Sequence, residues 1–148
     1  MLTIGSPAPA FSAPDAAGNT ATLETFRGKW LALCFYPKDF TPACTAQACS
    51  LRDNYAELAD LGVTVVGISG DGPAQHKVFA DRFRLPYTLL SDDGSVRAAY
   101  QVPRSFLGLM AGRVTYIIDP AGIVRGVFNS QINIKGHIAA IRRVVKGQ

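Results

Sequence analysis

Apolar residues gather in two uninterrupted runs, Trp30–Tyr36 and Val63–Ser69, each bounded by turn-forming residues. Runs this short without polar alternation predict strands buried on both faces. The first follows Arg27-Gly28-Lys29 and stops at Pro37, which cannot continue a ladder. A shorter strand is expected at residues 21–23, ahead of that turn. Helical periodicity dominates elsewhere. Over Ala43–Leu61 it puts Leu51, Tyr55, Leu58 and Leu61 on one face, and Gly62 closes the segment. Over Pro73–Arg84 it turns Phe79 and Phe83 inward, with Pro73 at a position that suits the start of a helix. Tyr87–Leu90 reads as a short strand and Gly94–Tyr100 as a short helix. Arg113–Asp119 and Ile123–Phe128 flank Pro120-Ala-Gly122 and read as a hairpin. Ile134, Ile138, Ile141 and Val145 form the stripe of a last helix. Strands alternating with helices, then a hairpin and a helix, predict an α/β fold: a mixed sheet with helices on both faces.

Size and composition narrow the class. At 148 residues the chain is expected to form one domain, residues 1–148, with room for a real core. Hydrophobic residues at 48% and charged ones at 18% exclude a disordered chain. No apolar run approaches the roughly 20 residues of a membrane span, so no membrane partner is expected. Met1-Leu-Thr-Ile-Gly-Ser-Pro7 has neither the basic start nor the apolar core of a signal peptide. Three cysteines are too few for a disulfide scaffold and odd in number, which suits a reducing compartment; a cytoplasmic location is the expectation. The net charge of +4 is spread without a run of five or six basic residues, so no nucleic-acid partner is expected.

Chemistry concentrates between Pro37 and Cys49. Thr41 is placed to cap a helix and Pro42 falls at its first position, which makes Cys44 the third helical residue. Backbone N–H groups there point out unpaired and the helix dipole favours negative charge, as a reactive thiolate needs. Cys49 follows five residues later as a partner for oxidation. In an intact helix that spacing sets the two Cα atoms about 8.7 Å apart, whereas a disulfide needs less than about 7 Å. A bridge therefore requires the first turns to unwind. Packing alone is the competing reading of Cys49. Cys34, inside the first apolar run, reads as an inert core residue. His76 reads as a partly buried structural histidine and His137 as a solvated one. No zinc spacing occurs, Asp71-Gly72 and Asp92-Asp93-Gly94 are turn signals, and no phosphate loop has the right flanks.

Pro37, Thr41 and Cys44 make up P-x-x-x-T-x-x-C, and Cys49 gives C-x-x-x-x-C. This resembles the peroxiredoxins, in particular the bacterioferritin comigratory protein and peroxiredoxin Q branch. Tyr36-Pro-Lys-Asp39, Gln47-Ala-Cys49, Val66-Gly-Ile-Ser-Gly-Asp71, Thr88-Leu-Leu-Ser-Asp92 and Gly112-Arg-Val-Thr-Tyr-Ile-Ile-Asp119 extend the likeness over nearly the whole chain. Ala43 departs from it, since that branch usually has glycine there. The resemblance implies a thioredoxin-like fold and a peroxidase for hydrogen peroxide and organic hydroperoxides. It implies Cys44 as the attacking cysteine and Cys49 as the one that resolves it by an intramolecular disulfide. It implies thioredoxin or a similar dithiol as reductant, no metal, haem or flavin, and a monomer rather than a stable dimer. It further implies that Arg113 and Thr41 assist the thiolate and that Pro37 shields it. On its residues alone, Arg113 opens an apolar strand and fits a solvated edge charge as well as an anion partner.

Two other classes compete. A general thiol–disulfide oxidoreductase usually carries C-x-x-C, and the spacing here is longer. A chaperone-like binding protein would use the apolar stretch Phe106-Leu-Gly-Leu-Met110 as an exposed patch.

Overall fold

The computed structural model describes residues 1–105, 107–108 and 110–147. The elements in chain order are β1 (Ser12–Pro14), β2 (Thr20–Thr22), a 3₁₀ turn (Leu23–Phe26), β3 (Trp30–Phe35), α1 (Pro42–Asp53), α2 (Tyr55–Asp60), β4 (Val63–Ser69) and α3 (Pro73–Phe83). They continue with β5 (Thr88–Ser91), α4 (Ser95–Ala99), β6 (Arg104–Ser105), β7 (Met110–Ala111), β8 (Val114–Ile118), β9 (Val124–Asn129) and α5 (Ile134–Lys146).

The central sheet has the order β5-β4-β3-β8-β9. β3 runs parallel to β4 and β4 to β5, while β8 is antiparallel to both β3 and β9. This is the expected mixed sheet of a thioredoxin-like α/β fold. Alternation along β3 divides the core. Leu31, Leu33 and Phe35 join Phe11, Val96, Tyr100 and Tyr116 on one face. Ala32 and Cys34 face Cys44, Leu51, Leu58, Phe79 and Ile141 on the other. α1, α2, α3 and α5 thus cover one face, and α4 with the N-terminal segment covers the second. Among the described residues no helix is long and apolar enough to cross a membrane.

Two local expectations change. The helix predicted over Ala43–Leu61 is two helices, broken at Asn54 (φ −102°, ψ 6°). The Asn54 amide donates to the Ser50 carbonyl at 2.8 Å, so the side chain competes with the backbone ladder. His137 is fully buried rather than solvated. Its Nε2 lies 2.8 Å from the Ser130 carbonyl and its Nδ1 2.8 Å from the Thr115 hydroxyl. A carbonyl only accepts, so Nε2 carries the proton and Nδ1 accepts from Thr115. Burial first, and the positive Arg113 nearby, hold its pKa below the ordinary histidine value.

Candidate active site

Pro37 leads the chain out of β3, and the loop to Thr41 delivers it into α1. Thr41 is extended (φ −72°, ψ 151°) and Pro42 takes the first helical turn, as the sequence predicts. The Thr41 hydroxyl, however, caps nothing: it donates to the Lys38 carbonyl at 2.8 Å and closes the loop on itself. The helix start therefore has no side-chain cap, and the N–H groups of Ala43 and Cys44 lack intrahelical acceptors. That is an anion-binding geometry. Cys44 sits in it, 2% exposed.

Sheet register brings Arg113 to the same point. Phe35 pairs with Val114 across the antiparallel β3–β8 ladder, so Arg113, one residue earlier, falls beside the end of β3. Arg113 is 2% exposed, which excludes a solvated edge charge. Its Nη2 donates to Cys44 Sγ at 3.3 Å, its Nη1 to Gln47 Oε1 at 2.6 Å, and its Nε to the Gln131 carbonyl at 3.2 Å. Three hydrogen bonds satisfy the buried guanidinium, and one of them is aimed at the cysteine sulfur.

Cys44 and Arg113 both line an open cleft of about 510 Å³. Pro37, Thr41, Pro42 and Ala43 form one wall, and Met110, Ala111 and Ile132 the other. The five residues Pro37, Thr41, Cys44, Arg113 and Ala43 thus meet at one opening. Cys49 is the exception. It is partly buried within the same unbroken helix, and all three cysteines are free thiols. Cys34 is 1% exposed in β3, and burial pushes its thiol up to about 12.

Three contributors were not picked out from the sequence. Gln47, 3% exposed, bridges α1 to Arg113; a polar residue three positions after Cys44 on the inner face of the helix was the available signal. Arg97 reaches the carbonyls of Tyr36 and Gly112 at 3.4 Å each, tying together the residues just before Pro37 and Arg113. Asp39 is 2% exposed and bonded to Tyr36 and His76. The last two depend on partners far away in sequence. Of the apolar stretch Phe106–Met110, Phe106 and Leu109 lie outside the described residues. Leu107 is exposed, and Met110 contributes to the cleft.

Residues 4–127 match the AhpC/TSA family, and the chain belongs to that family. Its relatives place it in the peroxiredoxin Q and bacterioferritin comigratory protein branch. It is 44% identical over 143 residues to the chloroplastic peroxiredoxin Q of Triticum aestivum, covering 96% of this chain and 66% of that one. Peroxidoxin BcpB of Mycobacterium tuberculosis superposes with a TM-score of 0.90 at 32% identity, over 99% of this chain and 98% of that one. The bacterioferritin comigratory protein of Xanthomonas campestris, described for alkyl peroxide reduction, superposes with a TM-score of 0.84 at 25% identity, over 93% and 90%. The chain spans 62 to 66% of the length of the first curated relatives it matches. Those relatives are chloroplastic by name, and that finding overturns the cytoplasmic expectation. The cysteine count could not separate cytoplasm from chloroplast, because a low count of free thiols suits any reducing compartment.

Proposed function

We propose that this chain is a thiol peroxidase with Cys44 as its nucleophile. The Cys44 thiolate attacks one peroxide oxygen, the O–O bond breaks, and the alkoxide or hydroxide leaves as alcohol or water after taking a proton. Sulfur is oxidised by two electrons to a sulfenic acid, and the peroxide is reduced by two. Arg113 and the N–H groups of Ala43 and Cys44 meet the charge that shifts along the O–O bond. Thr41 holds the loop and Pro37 walls the cleft against water. The observation that carries this reading is the 3.3 Å contact from the buried Arg113 to Cys44 Sγ at an open cleft.

Cys49 then condenses with the sulfenic acid, giving a disulfide and one water. Thioredoxin or a similar dithiol reduces that bridge and is oxidised in turn. The apolar wall residues Met110 and Ile132 support acceptance of organic hydroperoxides beside hydrogen peroxide. The same reading takes residues 1–148 as one domain acting as a monomer.

The test is peroxide consumption with and without a thioredoxin system. The parent chain is expected to turn over only with the reductant. Cys49→Ser is expected to consume peroxide stoichiometrically at Cys44 but fail to cycle with thioredoxin. Sustained cycling by that variant with thioredoxin overturns the resolving role of Cys49.

A further inference from the structure

The loop between β3 and α1 is fastened to α3 by a buried polar network. Asp39 Oδ1 accepts from the Tyr36 hydroxyl at 2.6 Å. Asp39 Oδ2 lies 2.7 Å from Nδ1 of His76, which is fully buried. Nε2 of His76 lies 2.9 Å from the Leu90 carbonyl. The Asp39 N–H donates to Asp71 Oδ2 at 2.8 Å, and the Ser69 hydroxyl donates to the same oxygen at 2.7 Å. Asp39, Asp71 and His76 bring three metal-type ligand atoms within 4.8 Å of one another. Those of Asp39 and His76 bond directly to each other, which makes this a hydrogen-bonded cluster.

The proton inventory is fixed by the acceptors. A carbonyl faces Nε2, so that nitrogen is protonated; a carboxyl faces Nδ1, so a second proton lies between Nδ1 and Asp39. The pair is either imidazolium with carboxylate or imidazole with carboxylic acid. Both forms are neutral in sum, and neither leaves a buried polar group unpaired.

The next residue adds a second fastening. Phe40 adopts φ +66°, which a bulky side chain holds only when its surroundings impose it. Its ring packs against Phe79 and Phe83 with centroids 5.0 and 6.1 Å away. His76, Phe79 and Phe83 recur at three- and four-residue steps, so one face of α3 grips two consecutive loop residues. Thr41 and the first turn of α1 follow at once.

We propose that Asp39 and His76 are positioning residues that set how long the first turn of α1 stays folded once Cys44 has been oxidised. The inference rests on the peroxidase reading. Oxidised Cys44 has two fates. With Cys49 the sulfenic acid gives a disulfide and water, and this needs the helix start to unwind. With a second hydroperoxide it gives a sulfinic acid and an alcohol, sulfur losing two more electrons to the O–O bond; this needs the folded site. While α3 grips Asp39 and Phe40, the chain upstream of Cys44 is pinned and unwinding is opposed. Releasing the grip shifts the balance toward the disulfide.

The test treats reduced protein with graded peroxide and measures the ratio of disulfide to sulfinic acid by mass spectrometry. Asp39→Ala removes the partner of two buried hydrogen bonds, those to Tyr36 and His76, and is expected to raise that ratio about tenfold or more. Asp39→Asn is expected to stay near the parent. Its amide can donate to Nδ1 of a neutral His76 while its oxygen still accepts from Tyr36. A general loss of packing would not be rescued this way. Phe40→Gly removes the aromatic fastening from the exposed side and relieves the backbone, so it serves if Asp39→Ala does not fold; a rise of several-fold is expected. An unchanged ratio in the released variants, or an Asn variant that behaves like the Ala variant, overturns the latch. A parent chain that consumes no peroxide overturns the peroxidase reading as well.

Discussion

Cys34 and Cys44 are equally buried, at 1% and 2% exposure, and both line one small internal cavity of about 10 Å³ beneath α1. Their surroundings are otherwise opposite. Cys34 sits in the middle of β3, with the Ala32 carbonyl 3.8 Å away, and burial raises its pKa to about 12. Cys44 sits on a helix start with no side-chain cap, faces the guanidinium of Arg113 at 3.3 Å and lines the open cleft. Burial alone therefore does not decide what a cysteine does. On the proposed reading, donors aimed at the sulfur and a path for the substrate separate a reactive thiol from a small hydrophobe.

Removing the donor should erase most of that difference. Arg113→Ala is expected to lower the peroxide rate constant of Cys44 by about a hundredfold or more, the scale of losing one preorganised charge-stabilising donor. Stopped-flow peroxide consumption measures it. A change below about threefold would reduce Arg113 to a structural role. Alkylation of Cys34 in the folded protein should stay slow in both proteins, because nothing around Cys34 changes.

The contrast was half legible in the sequence. Cys34 declared itself by lying inside Trp30–Tyr36, where both neighbours on each side are apolar. The order Thr41-Pro42 fixed the start of α1 correctly, because proline at the first helical position is tolerated for a local reason. Local rules do not reach across the sheet. That Arg113 is buried against Cys44 follows from the β3–β8 register, which no short window contains. Asp39 and His76 find each other over 37 positions. His137 looked solvated because histidine is polar and α5 amphipathic, yet Thr115 and the Ser130 carbonyl satisfy both of its nitrogens in the core. The Thr41 hydroxyl chose the nearer loop carbonyl over the helix, a competition that spacing cannot settle.

A smaller effect sharpens the comparison from the Cys34 side. Thr115 pairs with Cys34 across the sheet and holds His137 behind it. That neighbourhood should respond to pH through stability, not catalysis. Folding keeps His137 neutral by burial, and its pKa lies below the ordinary 6.5. The unfolded chain then binds the extra proton first. The contribution of His137 is fully present above about pH 6.5 and shrinks as pH falls below it toward the folded pKa. Denaturant titrations at pH 7.5 and 5.5 should show the parent losing more stability on acidification than His137→Gln. Equal losses would mean that His137 protonates as easily folded as unfolded.

The most direct test of the central claim asks which buried sulfur meets the peroxide. Reduced parent, Cys34→Ala and Cys44→Ser chains receive one equivalent of hydrogen peroxide with a sulfenic-acid trap present, and trapped adducts are located by mass spectrometry. Cys34→Ala should react within about twofold of the parent rate, as expected for replacing a thiol that only packs. Cys44→Ser should consume no peroxide and carry no adduct. Peroxide consumption by Cys44→Ser at the parent rate, or an adduct on Cys34 in the parent, would contradict the assignment of Cys44 as the nucleophile.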